Sequence, residues 1–253
     1  MNSGAADSVG AGLMASLLWI GLATAAASDI NQAPPVRYPS LRDAAAAVAD
    51  FVPAGWRIER QARGDLNGDG RVDRALILHD DDPALRVRMP FDDSPPVDTN
   101  PRMLVVLFAR TDGGFRCVLV NHTLIPRVEN DRDNDPIDGV VASDFAIADG
   151  TLQIALGGFG AEIFQPAFTF RWIDGAFRLI TYQSMAVHRM DGSTREVHVD
   201  YTTRRVELRQ GTVSDDKDTV RHRRLPPGPL PTLQAIGDGF GFDPLAEDND
   251  ATD

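Results

Sequence analysis

The stretch Phe168-Thr-Phe-Arg-Trp-Ile-Asp-Gly175 indicates most clearly which fold this sequence favours. The aromatic residues Phe168, Phe170 and Trp172 alternate with their neighbours, so all three would point to one face of an extended strand. The Asp-Gly pair that follows tolerates the positive φ angles that a tight hairpin turn requires. The stretch therefore predicts a β-strand that ends in a hairpin.

The same pattern recurs on both sides of this stretch. Residues 152–156 and 197–201 alternate apolar side chains with polar or small ones. Residues 103–109 are continuously apolar, which is typical of a central strand covered on both faces. Further Asp-Gly turns lie between such runs, at Asp112-Gly113, Asp149-Gly150 and Asp191-Gly192. The sequence predicts a mainly β fold, an antiparallel meander arranged as a sandwich, a barrel or an open propeller-like sheet.

One short N-terminal helix is predicted before these strands. Ser40 can act as its N-cap, with Asp43 three residues later, and Pro53-Ala-Gly55 ends it. Between these limits, apolar residues recur at helical spacing, namely Leu41, Ala45, Val48 and Val52.

The composition divides the chain into four segments. Residues 1–27 are almost wholly apolar, and residues 28–39 form an extended leader with three prolines. Residues 40–220 are predicted to form a single mainly β domain, which includes a long irregular loop rich in Asp and Pro at 81–101. Residues 221–253 form a Pro-rich linker and an acidic C-terminal tail.

Residues 1–27 resemble a secretory signal peptide. Ala25 and Ala27 supply small residues at positions −3 and −1, so cleavage before Ser28 is expected. The apolar run is shorter than the ~20 residues of a membrane span, so we expect no integral membrane protein after cleavage. This segment predicts a periplasmic or secreted protein.

Cys117 is the only cysteine, which excludes an intramolecular disulfide. In the strand-like run around it, Phe115, Cys117 and Leu119 would share one face. We therefore expect a buried thiol rather than a reactive one.

The charge balance excludes one class of partner. The chain has 37 acidic and 25 basic residues and a net charge of −12. Binding to nucleic acid needs clustered positive charge, so we do not expect this chain to bind nucleic acid. The expected partner is an unknown extracytoplasmic ligand or protein.

The strongest chemical signal is the segment Asp65-Leu-Asn-Gly-Asp-Gly-Arg-Val-Asp73. Calcium takes six to eight oxygen ligands, and acidic or amide side chains at every second position of a tight loop can supply them. The predicted ligands are the side chains of Asp65, Asn67, Asp69 and Asp73 and the backbone carbonyl of Arg71, whose side chain would face solvent. The alternative is a solvated Asp/Asn/Gly turn without metal.

The loop is not an EF-hand, because Leu76 stands at its twelfth position, where a bidentate Glu is required. Residues 74–78 have strand character, so the loop is predicted to join two strands. A calcium ion enclosed by these ligands would leave no open position for a substrate. The predicted Ca²⁺ is therefore structural.

The loop resembles the calcium loops of FG-GAP/VCBS repeats, the strand-loop-strand units of integrin-type propellers. A wider stretch, about residues 50–210, is similar to a family of small exported bacterial proteins of unknown function. This resemblance implies a β fold with a calcium loop and implies no activity.

Other polar segments give weaker signals. Residues 131–138 imitate a second calcium loop, but Pro136 stands where the first loop has Gly70, and proline cannot adopt a positive φ. The five histidines form no short-spacing zinc pair, so we assign them to surface or turn positions. They are His79, His122, His188, His198 and His222.

No catalytic residues are predicted from these patterns, and a binding or structural role is favoured over an enzyme. The alternative is a secreted glycan hydrolase or a carbohydrate-binding module with a structural calcium. An exposed aromatic row would favour glycan binding, and two carboxylates facing each other across a cleft would favour hydrolysis. Trp172 and Tyr201 alternate with other residues and are predicted to be core residues.

Overall fold

The computed structural model describes residues 33–88, 95–130, 133–138 and 144–246, apart from the side chain of residue 216. These residues form a five-stranded sheet, an eight-stranded sheet and a two-stranded ladder, with one α-helix, α1 (Leu233–Ile236), and two 3-10 turns, Val48–Phe51 and Pro83–Leu85. In chain order the strands are β1 (Ala44–Ala45), β2 (Trp56–Gly64), β3 (Asp73–Asp80), β4 (Arg86–Val87), β5 (Val97–Asp98), β6 (Arg102–Ala109), β7 (Phe115–Asn121), β8 (Phe145–Ala148), β9 (Thr151–Ala155), β10 (Gly158–Phe159), β11 (Glu162–Ile173), β12 (Ala176–His188), β13 (Ser193–Asp200), β14 (Arg205–Thr212) and β15 (Asp215–Arg224).

The five-stranded sheet runs in the order β1-β7-β6-β3-β2 and is covered on both faces. Its middle strand, β6, is buried from Arg102 to Phe108, so the predicted central strand is confirmed. Leu104 and Val106 face the second sheet, whereas Met103 and Val105 face the N-terminal segment. This two-sided burial explains why the strand is continuously apolar.

The eight-stranded sheet is an antiparallel meander from β8 to β15, and β10 pairs with β11 at its side. Two of its hairpins turn at the predicted Asp-Gly pairs. The φ angles are 51° at Asp149 and 69° at Gly150, and 48° at Asp174 and 79° at Gly175. Both residues of each pair are in the left-handed region, which matches the twist of the flanking strands.

The two sheets pack across one apolar core. Phe168 and Phe170 of β11 and Tyr182 of β12 are fully buried there, and Trp172 of β11 meets Phe108 of β6 edge-on at 5.0 Å between ring centroids. Trp172 and Tyr201 both pack in this core, as predicted. The mainly β antiparallel fold is confirmed, and both large sheets are open rather than closed into a barrel.

The N-terminal segment differs from the predicted helix. Residues 44–45 form β1, which pairs with β7, and the only helical turn here is the 3-10 turn Val48–Phe51. The backbone N–H of Cys117 donates to the carbonyl of Asp43 at 2.8 Å. This pairing with a distant strand replaces the local helix. Residues at the helical spacing still pack on the outer face of the five-stranded sheet, namely Leu41, Ala45, Val48 and Val52.

The face of the β7 residues also differs from the prediction. The pairing of β6 with β7 shifts register between Val106 and Leu107, which inserts an extra residue in β7. Cys117 therefore packs towards the N-terminal segment, whereas Leu119 faces the second sheet. Burial raises the pKa of the half-buried Cys117 thiol, in agreement with an unreactive role.

The C-terminal segment packs back on the core. Arg221–Arg224 complete β15, so the linker begins at Leu225, four residues later than predicted. Leu233 and Ile236 of α1 and Leu245 are buried in the main core. The predicted acidic tail from residue 247, the predicted signal segment 1–27 and residues 28–32 of the predicted leader lie outside the described residues. The part of the chain that is described contains no helix with the length and apolar character of a membrane span.

Candidate metal centre

The predicted calcium loop joins β2 to β3, as expected from the strand character on both sides. Its backbone is not helical, and Gly68 and Gly70 have φ angles of 77° and 79°. An L-residue with a side chain rarely adopts such angles, so glycine is needed at both turns. The loop therefore bends twice within the predicted ligand segment.

Asp65 anchors the first half of the loop. Its Oδ1 accepts from the backbone N–H of Gly68 at 2.8 Å and of Asp69 at 3.3 Å, and its Oδ2 accepts from Gly70 at 2.8 Å. These hydrogen bonds, chiefly that from Gly70, hold the pKa of Asp65 below its ordinary value. The carboxylate is thus turned into the loop and stays ionised.

Asn67 and Asp69 continue the same arrangement. Asn67 Oδ1 accepts from the N–H of Asp69 at 3.0 Å, and Asp69 Oδ1 accepts from the N–H of Arg71 at 2.9 Å. The guanidinium of Arg71 forms an ion pair with Asp69, and its Nε donates to the carbonyl of Ala109 at 3.0 Å. The predicted solvent-facing position of the Arg71 side chain holds in part, because the side chain is 39% exposed but also ties the loop to the end of β6.

Asp73 closes the loop from a buried position, with 0% exposure. Its Oδ2 accepts from the N–H of Leu66 at 2.9 Å and its Oδ1 from the N–H of Ala109 at 2.8 Å. Burial raises the pKa of Asp73 above its ordinary value, and the negative charges of Asp69 and Asp65 raise it further. The two hydrogen bonds lower this pKa but do not cancel the rise. Asp73 therefore holds together both ends of the loop and β6.

The predicted ligands suit calcium because they are oxygen atoms and because they lie on one short loop. Three carboxylates, the Asn67 amide oxygen and the Arg71 carbonyl are hard oxygen ligands on one short loop. Within the described ranges, however, no group of three or more His, Cys, Asp and Glu side chains is arranged to hold a metal ion. The carboxylates accept from backbone N–H groups, and each carboxylate has about four lone-pair positions, so acceptor capacity remains.

The second acidic segment, 131–138, uses its carboxylates differently. Asp133 Oδ2 accepts from the N–H groups of the residues at 129 and 130, at 2.8 and 3.2 Å. Asp135 Oδ2 accepts from Arg102 at 2.8 Å, and its Oδ1 caps the turn that follows. Residues 131 and 132 lie outside the described part of the chain. The carboxylates of Asp133 and Asp135 thus accept hydrogen bonds from turns and from the Arg102 guanidinium.

Sequence reasoning missed a buried ionic cluster next to this segment. Arg102, only 5% exposed, donates to both carboxylate oxygens of Glu59, at 2.6 and 2.9 Å, and to Asp135. In the adjoining strand, His79 Nδ1 accepts from Arg57 at 3.0 Å. The only signal in the sequence is that Arg102 opens a run of buried apolar residues.

His79 also corrects the assignment of all histidines to surface or turn positions. It is 2% exposed, and burial, followed by the charge of Arg102, lowers its pKa. His122 is half-buried, with its ring stacked on Tyr38 at 4.1 Å between centroids. These two histidines are therefore part of the packed structure.

The solvent face of the eight-stranded sheet carries a shallow depression of about 410 Å³. Glu196 and Glu207 both line it, and both lie close to Arg209, at 3.6 and 3.3 Å. Among the aromatic residues whose exposure is described, only Phe159 is exposed. The described surface thus offers a polar face rather than the aromatic row typical of glycan binding.

The chain thus combines a loop rich in oxygen donors, a buried ionic cluster and a polar sheet face. The loop brings its predicted ligand residues into one short closed segment, and the other two features had no signal of comparable strength in the sequence. Comparisons with protein-family models, with curated proteins and with solved structures give no match, so the FG-GAP/VCBS resemblance stays a prediction based on the loop residues.

Proposed function

We propose that this chain is an exported β-sheet protein in which one structural Ca²⁺ holds the Asp65–Asp73 loop, and that its role is binding or structural rather than catalytic. The observation that carries the calcium proposal is the closure of the loop. The Asp73 carboxylate accepts a hydrogen bond from the backbone N–H of Leu66. The last predicted ligand, Asp73, therefore lies close to the first, Asp65, which precedes Leu66 in the chain.

The side chains of Asp65, Asn67, Asp69 and Asp73 and the carbonyl of Arg71 would hold the ion. Bound calcium would supply two positive charges to three carboxylates that otherwise repel one another. The Asp73 carboxylate accepts from the backbone N–H of Ala109, and the Arg71 side chain donates to the Ala109 carbonyl. Ordering the loop would therefore also stabilise the end of β6.

The polar face of the eight-stranded sheet supports a binding role over hydrolysis. Glycoside hydrolysis needs one carboxylate that donates a proton and one that acts as base or nucleophile. In the depression, the guanidinium of Arg209 forms ion pairs with both Glu196 and Glu207, so both carboxylates are engaged by the same cation. These carboxylates therefore suit recognition of a polar ligand better than acid-base chemistry.

Thermal unfolding in excess calcium and in chelator tests the site. At calcium about a hundredfold above the dissociation constant, binding should stabilise the fold by about 2.7 kcal/mol. For a domain of this size that corresponds to a rise of about 5–10 °C in the unfolding midpoint. Asp69→Ala should abolish the rise, and excess magnesium should not reproduce it.

Asp112→Ala is the matched control. Asp112 lies in an exposed turn of the same sheet, accepts from the N–H of Gly114 at 3.1 Å and pairs with Arg110 at 2.5 Å, much as Asp69 pairs with Arg71. This variant should keep the full calcium response. Equal melting curves of the wild type with calcium and with chelator would refute the site.

Export is tested separately by sequencing the N-terminus of the mature protein, which should begin at Ser28.

A further inference from the structure

Strand β15 is an open edge of the eight-stranded sheet. Among the described residues it pairs only with β14, and each of its residues whose exposure is described is exposed. The opposite edge, β8, is covered, because Ile147 packs directly against Gly64 of β2. An uncovered edge presents unpaired N–H and C=O groups that can accept another strand.

The charges along β15 are ordered by sign. Its sequence is Asp-Asp-Lys-Asp-Thr-Val-Arg-His-Arg-Arg, so the acidic residues come first and the arginines last. An edge of one sign repels its own copy, which protects against pairing. Here, an antiparallel second copy would set the acidic half of one strand against the basic half of the other. The edge is therefore complementary to itself.

Symmetry limits how two copies can pair. A two-fold axis between antiparallel strands is normal to the sheet, so each residue lies opposite one that points to the same face. Placing Val220 on the axis sets it opposite its own copy and sets Asp218 opposite His222. Val220 is 41% exposed and is the only apolar residue of this strand. A buried contact between the two valines would remove it from water.

The rows of charge on β14 fit the same register. Arg209 lies 3.6 Å from Glu196 and 3.4 Å from Asp218, and Glu207 lies 4.0 Å from His222. Pairing about Val220 would join these rows into one line across both copies, in which Arg209 lies among carboxylates and His222 lies between Glu207 of its own copy and Asp218 of the other. On the other face the register sets the like charges of Lys217 and Arg223 opposite one another, and Asp215, on the diagonal of that pair, offsets part of their repulsion.

We propose that β15 is the interface of a two-fold symmetric dimer, in which the eight-stranded sheets of two copies of this chain join edge to edge about Val220. The occupant of the edge is a second copy because the strand's own sequence supplies the complementary charges. This association is independent of calcium, since the Asp65–Asp73 loop lies on the other sheet.

Sedimentation equilibrium of the purified full chain, over a wide concentration range, tests the dimer. Val220→Lys would bring two like charges together on the axis and should weaken dimerisation at least about tenfold. Val213→Lys is the matched control, because Val213 is exposed in the turn before β15 but lies outside the pairing, and it should leave the dissociation constant unchanged. A protein that is monomeric throughout, or equal dissociation constants for the two variants, overturns the proposal.

A mixing experiment tests the register and does not depend on Val220. His222→Asp places two carboxylates opposite one another in a homodimer and should weaken dimerisation at least about tenfold, and Asp218→Lys alone should also weaken it, because it removes the carboxylate that faces His222. Mixed together, positions 218 and 222 become complementary at both ends, so a heterodimer should form within about threefold of the native affinity. A mixture that associates no better than its separate components overturns the proposed register and, with it, the interface.

Discussion

Replacing Arg102 by methionine should destabilise the protein by about 3–5 kcal/mol, because Asp135 loses its arginine and the largely buried Glu59 keeps only Arg57, 3.8 Å away. Arg102 makes three charged hydrogen bonds, at 2.6, 2.9 and 2.8 Å, and each would be worth about 1.5–3 kcal/mol if it were independent. The sum overestimates the loss, because Glu59 and Asp135 have side-chain exposures of 15% and 36% and can regain water.

Thermal or denaturant unfolding measures this loss, which corresponds to a fall of about 6–20 °C in the unfolding midpoint. Arg86→Met is the control, because the Arg86–Asp81 pair has a similar distance of 2.6 Å but about half of each side chain is exposed. That variant should lose no more than about 1 kcal/mol. Glu59→Gln combined with Arg102→Met should cost about 1–3 kcal/mol less than the two single losses added together. If Arg102→Met and Arg86→Met cost the same, burial does not decide the strength of the cluster and the reasoning fails.

Two further predictions concern packing and pH. Gly64→Ala should cost about 1–3 kcal/mol in unfolding free energy, because the added methyl would meet the side chain of Ile147 and lie 3.2 Å from its carbonyl oxygen. Gly228→Ala, with no atom within 4 Å of the added methyl, should be neutral, and an equal loss in both would count against this contact. Hydrogen bonds from Ser193, and then from His188, lower the pKa of Asp191 from 3.8 to about 2. The ionised carboxylate therefore stabilises the fold above pH 3.8, and the stability difference between wild type and Asp191→Asn should shrink as pH falls towards about 2 in denaturant titrations.

The strands and their turns could be predicted because their signals are local. The period-two pattern of residues 168–172 and the turn at Asp174-Gly175 depend only on neighbours in sequence, and the structure confirms both. The predicted calcium loop is likewise a local pattern. Its closed path follows from hydrogen bonds within the loop, whereas the contacts of Arg71 and Asp73 with Ala109 come from another strand.

The predictions that differ from the structure depend on partners far away in sequence. The segment at 40–52 has helical spacing, but pairing with β7 makes part of it a strand. Leu119 lies on the face opposite to the predicted one because the pairing of β7 with β6 shifts register. No residue near Leu119 in the sequence predicts that shift. Arg102 meets partners 43 and 33 residues away, so the buried cluster has no short-range pattern. These features follow from how the sheets assemble.

The five-stranded sheet is buried on both faces, whereas the eight-stranded sheet has one face in solvent, and this difference affects how freely the sequence can vary. Each residue of β6 from Arg102 to Phe108 is buried, so a substitution at any of them alters packing or leaves a charge without its partner. On the solvent side of the eight-stranded sheet, Gln165, Gln183 and His198 are exposed. This side can exchange one polar group for another at a cost of about 0.5 kcal/mol or less, so under the proposed binding role its ligand specificity can change while the scaffold is retained.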